Sequence, residues 1–159
     1  TALIYAARNG HDKCVRILAR TKEIGMQNEH GCTALMHAAM DGHDKSVAIL
    51  AKTKVLGMKA KYGITALMYA AWDGHVKCVE VLIKTKELGM NDGTKQTALM
   101  YAAMNGYDKC VAILAKTKEV GMKDGYGYTA LLRAVQNRHD KCVEILIKTK
   151  EFDMKYIDD

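Results

Sequence analysis

The chain's 159 residues predict an all-α solenoid of five 32-residue helix-turn-helix repeats. Three observations carry that reading. Thr-Ala-Leu begins at Thr1, Thr33, Thr65, Thr97 and Thr129 without a slip in spacing, and a fixed period of this size marks an array whose units bury their apolar faces only against their neighbours. Within each unit the apolar residues recur at helical spacing, and in four of the five units glycine stands at the same two places, Gly74 and Gly89 in the third, where a helix stop is needed. Proline is absent and no low-complexity segment divides the array, so residues 1–159 form a single domain with repeats at 1–32, 33–64, 65–96, 97–128 and 129–159.

The third repeat shows the elements most plainly. Leu67, Ala70 and Ala71 fall at i, i+3 and i+4 and line one face of a short first helix, with Thr65 as its N-cap. Gly74 ends that helix, because glycine supplies the left-handed residue that turns the chain back. A second helix follows from Val76, with Cys78, Val79, Val81, Leu82 and Ile83 as its apolar stripe. Asp12, Asp44, Asp108 and Asp140 open the corresponding helices of the other repeats, which suits the positive end of the helix dipole. This second helix is expected to run to Gly89, with Lys84 and Lys86 in its last turns.

Taken in order, the repeats differ in small ways. Repeat one carries Arg8, Arg16 and Arg20; repeat two has Ser46 in place of Cys and Val55 in place of Glu. Repeat three holds the only tryptophan, Trp72, and repeat four exchanges the Gly-His histidine for Tyr107. Repeat five departs furthest, with Val135 for alanine and Arg138 and Asp153 for the two glycines. It reads as a weak C-terminal cap. The chain starts at Thr1, inside a repeat and without Met, as expected of a segment of a longer protein.

The motif T-A-L-M-x-A-A-x-x-G-H-x-x-C-V-x-x-L, present in five in-phase copies, resembles the ankyrin repeat, whose pattern runs Thr-Pro-Leu-His-x-Ala-Ala, two variable residues and Gly-His. Ala2, Ala34, Ala66, Ala98 and Ala130 stand where that family has proline. Ile4, Met36, Met68, Met100 and Leu132 stand where it has histidine, so the usual His-to-Thr hydrogen bond cannot form. Gly-Met replaces Gly-Ala at Met26, Met58, Met90 and Met122. Together these features are most similar to the TALM-type ankyrin arrays of diplomonad protists, and a consensus-based design would give the same near-identity. The resemblance implies a non-catalytic protein-protein interaction scaffold, its partner held on a concave surface of first helices and connecting fingers.

Candidate contact residues are those that vary while the framework repeats. Offsets five, eight and nine of each unit lie together on the first helix. With the finger aromatics they give Tyr5, His37, Met40, Asp41, Tyr62, Tyr69, Trp72, Asp73, Tyr101, Met104, Asn105, Tyr126 and Tyr128. Seven of the ten aromatics occupy these expected surface positions, and Trp, Tyr and Met are the residues that interface centres favour. The competing reading is that Tyr5, Tyr69 and Tyr101 form a ladder stacked between repeats.

Other chemistries fit less well. His11 with Cys14, His75 with Cys78 and His139 with Cys142 repeat an H-x-x-C, but each unit offers two ligands where structural zinc takes four. A small core cysteine and a turn-bracing histidine are the simpler reading, with no metal and no cofactor. Free thiols suit a reducing, cytoplasmic setting, and Cys32 is the thiol expected to be accessible. The net charge of +6 comes largely from lysines that recur with the framework. They read as a solvated helical face and not as a nucleic-acid surface. No membrane-length apolar run and no signal peptide are present. The single serine, Ser46, and the helix-stopping glycines leave no triad and no phosphate loop, so catalysis is not expected. The partner is then another protein and the chain a monomer. The alternatives are an assembly solenoid that stacks end to end and a regulatory segment of a larger enzyme such as a kinase.

Overall fold

Every copy of Thr-Ala-Leu opens a helix in the computed structural model, which describes residues 1–149. The helices are α1 Ala2–Arg8, α2 Asp12–Leu18, α3 Ala34–Met40, α4 Asp44–Leu50, α5 Ala66–Trp72, α6 Val76–Leu82, α7 Ala98–Met104, α8 Asp108–Leu114, α9 Ala130–Gln136 and α10 Asp140–Leu146. A 3-10 turn at Lys61–Gly63 is the remaining helical piece, and no strand occurs among the described residues.

Each odd-numbered helix is capped as expected. The hydroxyl oxygens of Thr33, Thr65, Thr97 and Thr129 accept from the amides of Met36, Met68, Met100 and Leu132 at 3.4 Å, and Thr1 accepts from Ile4 at 3.2 Å. Met36 replaces the histidine contact only weakly, its thioether sulfur accepting from the Thr33 amide at 3.4 Å. The helices end in a Schellman geometry: Gly74 takes φ +75 and the His75 amide donates to Ala70 O at 2.9 Å.

The second helices are shorter than expected. In repeat three the helix stops at Leu82, and Lys84 to Gly89 form successive turns. Thr85 causes the break. Its hydroxyl donates to Leu82 O at 2.6 Å and accepts from the Glu87 amide at 3.3 Å, offering the backbone an alternative to the helix. Lys84 and Lys86 therefore sit on turns.

The odd helices pack in one row, α1 on α3 on α5 on α7 on α9, and the even helices in a second row behind it. The core lies between the rows. Leu67, Ala70 and Ala71 with Cys78, Val79 and Leu82 are fully buried, and so are their counterparts in repeat four. Met36, Met68 and Met100 also turn inward, filling with flexible thioethers the volume between repeats. The alanine pairs let the odd row approach closely, which places its free face as one continuous surface.

Neighbouring repeats are locked by two recurring contacts. The first gives the Gly-His histidines a structural role: Nε2 of His43, His75 and His139 donates to the carbonyls of Arg8, Met40 and Met104 at 2.9, 2.6 and 2.9 Å. These rings lie over the turn glycine of the preceding repeat. At Gly74 the ring is that of Tyr107, and a Cβ there would come within 2.3 Å of it. The second lock is a buried glutamate that sequence reasoning passed over. Glu87 Oε2 accepts from the Leu67 amide and Oε1 from Gly57, both at 2.8 Å, and Glu119 treats Leu99 and Gly89 the same way at 2.8 and 2.9 Å. Burial pushes both carboxyls above the usual range, although the amides partly offset it. The signal was present as the recurring Thr-Lys-Glu of the framework. In repeat two Val55 takes this place and has no acceptor to offer.

Candidate functional site

The surface of interest is built from offset five of each odd helix and the finger that precedes that helix. Each finger closes on itself, Asp92 N donating to Gln96 O at 3.0 Å and Asp124 N to Tyr128 O at 2.9 Å. An Asx side chain organises three of the fingers: Oδ1 of Asn28, Asp92 and Asp124 accepts from the amides two and four residues on, at 2.8 to 3.0 Å. Adjacent fingers are joined through backbone, Lys61 N to His30 O at 3.1 Å, Gly93 N to Tyr62 O at 2.7 Å and Gly125 N to Thr94 O at 2.7 Å. The fingertips are thus held in a fixed file.

The second atom of the same Asx side chain fixes offset five. Asn28 Nδ2 donates to His37 Nε2 at 3.1 Å, and Asp92 Oδ2 accepts from the Tyr101 hydroxyl at 2.6 Å. Asp124 pairs with Arg133, whose Nε donates to Oδ2 at 2.9 Å and whose guanidinium lies 4.8 Å from the Tyr128 ring centroid. Burial pushes the Asp124 carboxyl up, but the Tyr128 and Tyr126 amides and Arg133 outweigh it and hold it below the usual range. Ala60 occupies this place in repeat two and has no polar side-chain atom to offer. The Tyr69 hydroxyl instead meets Cys32 Sγ, 3.6 Å away on the finger before.

These bonds sort the candidate residues. Tyr5, Tyr62 and Tyr126 are open to solvent, at 68, 82 and 74 % exposure, as are Asp41, Asp73 and Asn105. His37, Met40, Tyr69, Met104 and Tyr128 are half-buried. Burial holds the His37 imidazole below its ordinary pKa, against the pull of Asp41.

Tyr101 is not at the surface: it is 4 % exposed. Asp92 draws its hydroxyl inward, and Trp72 of the preceding repeat covers its ring, with centroids 4.8 Å apart and an interplanar angle of 24°. Desolvation and the Asp92 carboxylate drive its hydroxyl well above the usual tyrosine range. Tyr101 is thus packed between repeats against Trp72, whereas the Tyr5 ring meets the edge of His11, 6.5 Å between centroids. Trp72 itself remains 43 % exposed.

Two further expectations are corrected. Cys32 is buried, because its finger folds it against Tyr69, and the exposed thiol is Cys14 on α2. Cys78, Cys110 and Cys142 are core residues. Burial raises their pKa to about 12, 11 and 11, so they carry no thiolate at neutral pH. Ser46 is buried too, its hydroxyl donating to Asp12 at 2.6 Å. The framework lysines Lys13, Lys45, Lys77, Lys109 and Lys141 are all exposed, as a solvated face requires. Asp153 lies outside the described residues, so the reading of repeat five as a cap is carried by Val135 and Arg138 alone.

No helix among the described residues is long and apolar enough to cross a membrane. A family model for ankyrin repeats in three copies matches the chain twice, at residues 3–92 and 67–158. No curated protein matches the sequence.

Proposed function

We propose that this chain, which belongs to the ankyrin-repeat family, is a non-catalytic scaffold that binds a protein partner on the face made by its odd helices and fingers. The observation that carries this reading is the distribution of its open aromatics. Tyr5 and Trp72 on odd helices and Tyr62 and Tyr126 on the fingertips remain exposed, although the core has its volume filled by Leu, Ala, Val and Met. Large rigid aromatics left in water cost solvation and serve best where a partner covers them. With helices packed about 8 to 10 Å apart, five repeats offer a row on the order of 40 Å long. That length accommodates a standard interface of about 800 Å² per partner.

Half-buried Tyr69, Met40 and Met104 form the floor of this face, and Asp41, Asp73 and Asn105 its polar rim. Tyr101 supports the face from beneath. The TALM, Gly-His-x-x-Cys-Val and Gly-Met signature supports placing the array nearest the diplomonad type, and its buried free thiols suit the cytoplasm. End-to-end stacking is disfavoured by Arg138. It stands where Gly10, Gly42, Gly74 and Gly106 receive the ring of the next repeat, so a second copy docked in phase would set its His11 ring against a side chain.

Affinity capture from cell lysate tests the reading, comparing the chain with a Trp72→Ala/Tyr62→Ala variant whose circular dichroism is unchanged. A protein retained by the first and lost by the second is expected. Equal capture by both contradicts the assignment.

A further inference from the structure

Offset nine of the odd helices divides the repeats into two chemical kinds. In repeats one, four and five it is asparagine, and each donates back to the carbonyl one turn earlier: Asn9 to Tyr5 O at 2.8 Å, Asn105 to Tyr101 O at 3.0 Å and Asn137 to Arg133 O at 2.9 Å. In repeats two and three it is Asp41 and Asp73. A carboxylate has no proton to give that carbonyl. Neither aspartate side chain forms a hydrogen bond or ion pair among the described residues, where the ion pairs are His30 with Glu29 and Arg133 with Asp124.

Two unpaired carboxylates in successive repeats are thus set on one face of a protein whose net charge is +6. Asp41 is among the groups that act on Asp73: partial desolvation raises the Asp73 pKa, His75 lowers it, and Asp41 raises it to a smaller extent. Arg8 on the odd row is exposed and, among the described residues, forms an ion pair with neither. Beside Asp73 stands Trp72, one ring face held by Tyr101 and 43 % of its surface open. Tyr101 cannot swing away, because Asp92 holds its hydroxyl at 2.6 Å. The indole, stacked on Tyr101 and next in sequence to Asp73, therefore offers an open aromatic surface beside a carboxylate. A planar cation is its complement, since guanidinium stacks on an indole face and forks to carboxylate at once.

We propose that Trp72, Asp41 and Asp73 form a docking site for arginine side chains of an extended basic segment in the partner protein. This rests on the odd-row binding face proposed above and names the chemistry that it recognises. Phosphate-bearing partners are the wrong sign for this site.

The chain's single tryptophan is at the site, so intrinsic emission reads occupancy directly. The probe is a blocked Arg-Gly-Arg-Gly-Arg peptide, compared with its citrulline counterpart of the same shape and no charge. The arginine peptide is expected to change Trp72 emission saturably. Binding should be weaker by about tenfold or more both for the citrulline peptide and for the Asp41→Asn/Asp73→Asn variant. That variant folds, because Asn9, Asn105 and Asn137 already occupy this offset. Equal binding of the two peptides, equal binding by the variant, or no saturable change overturns the proposal. A second arm separates this from the wider reading. If a captured partner depends on Trp72 but is held equally by the Asp41→Asn/Asp73→Asn variant, the arginine site fails while the binding face stands.

Discussion

Trp72 of the third repeat lies stacked on Tyr101 of the fourth, their ring centroids 4.8 Å apart and their planes 24° from parallel. The contact crosses a repeat boundary and couples an exposed residue to a buried one. Tyr101→Phe keeps the ring but removes the donor from Asp92 Oδ2, and a loss of about 1 to 3 kcal/mol is expected in chemical denaturation. Trp72 emission should barely change. Tyr101→Ala removes the platform as well, with a loss of about 3 to 5 kcal/mol and a red shift of Trp72 emission.

The turn glycines give a second prediction. Gly74→Ala places a Cβ 2.3 Å from the Tyr107 ring at φ +75, whereas Gly127 at φ +84 has nothing within 4 Å. Gly127→Ala should cost about 1 to 3 kcal/mol from backbone strain alone. Gly74→Ala should cost a further 1 to 3 kcal/mol, roughly, from overpacking between repeats. Melting of the two variants side by side measures the difference.

Stability should respond to pH in two opposed ways. Glu87 and Glu119 have raised folded-state pKa values, so their contribution is fully present below the unfolded carboxyl range and is lost as pH rises through the folded values. Asp124 has a lowered value, so its contribution is present above that range and is lost as pH falls through the folded value. A Glu87→Gln/Glu119→Gln variant should therefore lose less stability than the parent as pH rises from the carboxyl range to neutrality. Urea titrations across that window read it, and parallel curves would contradict it.

Hydrogen exchange should single out repeat two. The amides of Leu67 and Leu99 each donate to a buried glutamate at 2.8 Å, while in repeat two the equivalent position is Val55, which offers the Leu35 amide no acceptor. Leu35 is expected to exchange faster than either, by about tenfold or more.

The architecture was legible because its signals repeat. Thr-Ala-Leu, the Ala-Ala pair and the turn glycine each recur in phase, and local spacing alone placed the odd helices and their threonine caps. The end of the second helix was misread because Val81, Leu82, Ile83 and Leu88 continue an apolar pattern, while the break lies in the Thr85 hydroxyl. Tyr101 and Cys32 were misplaced for a related reason. Offset five looks outward by helical periodicity, but the preceding finger decides where its side chain goes. Asp92 draws Tyr101 in, and Ala60 leaves Tyr69 to find Cys32. Such contacts span nine or more residues and leave no period to read. Asp41 and Asp73 were among the candidates read from sequence, but that their side chains form no hydrogen bond or ion pair among the described residues was not legible there, because an Asn-to-Asp change looks like ordinary surface variation until the carbonyl beside it is seen.

Site-specific photo-crosslinking tests the central claim most directly. A photoreactive residue is placed at Tyr126 or Asn105 on the odd-row face, or at Lys77 or Lys109 on the even row, all four being exposed. A crosslinked partner protein is expected from the first pair of positions and none from the second. A partner captured from Lys77 or Lys109 but not from Tyr126 or Asn105 would contradict it.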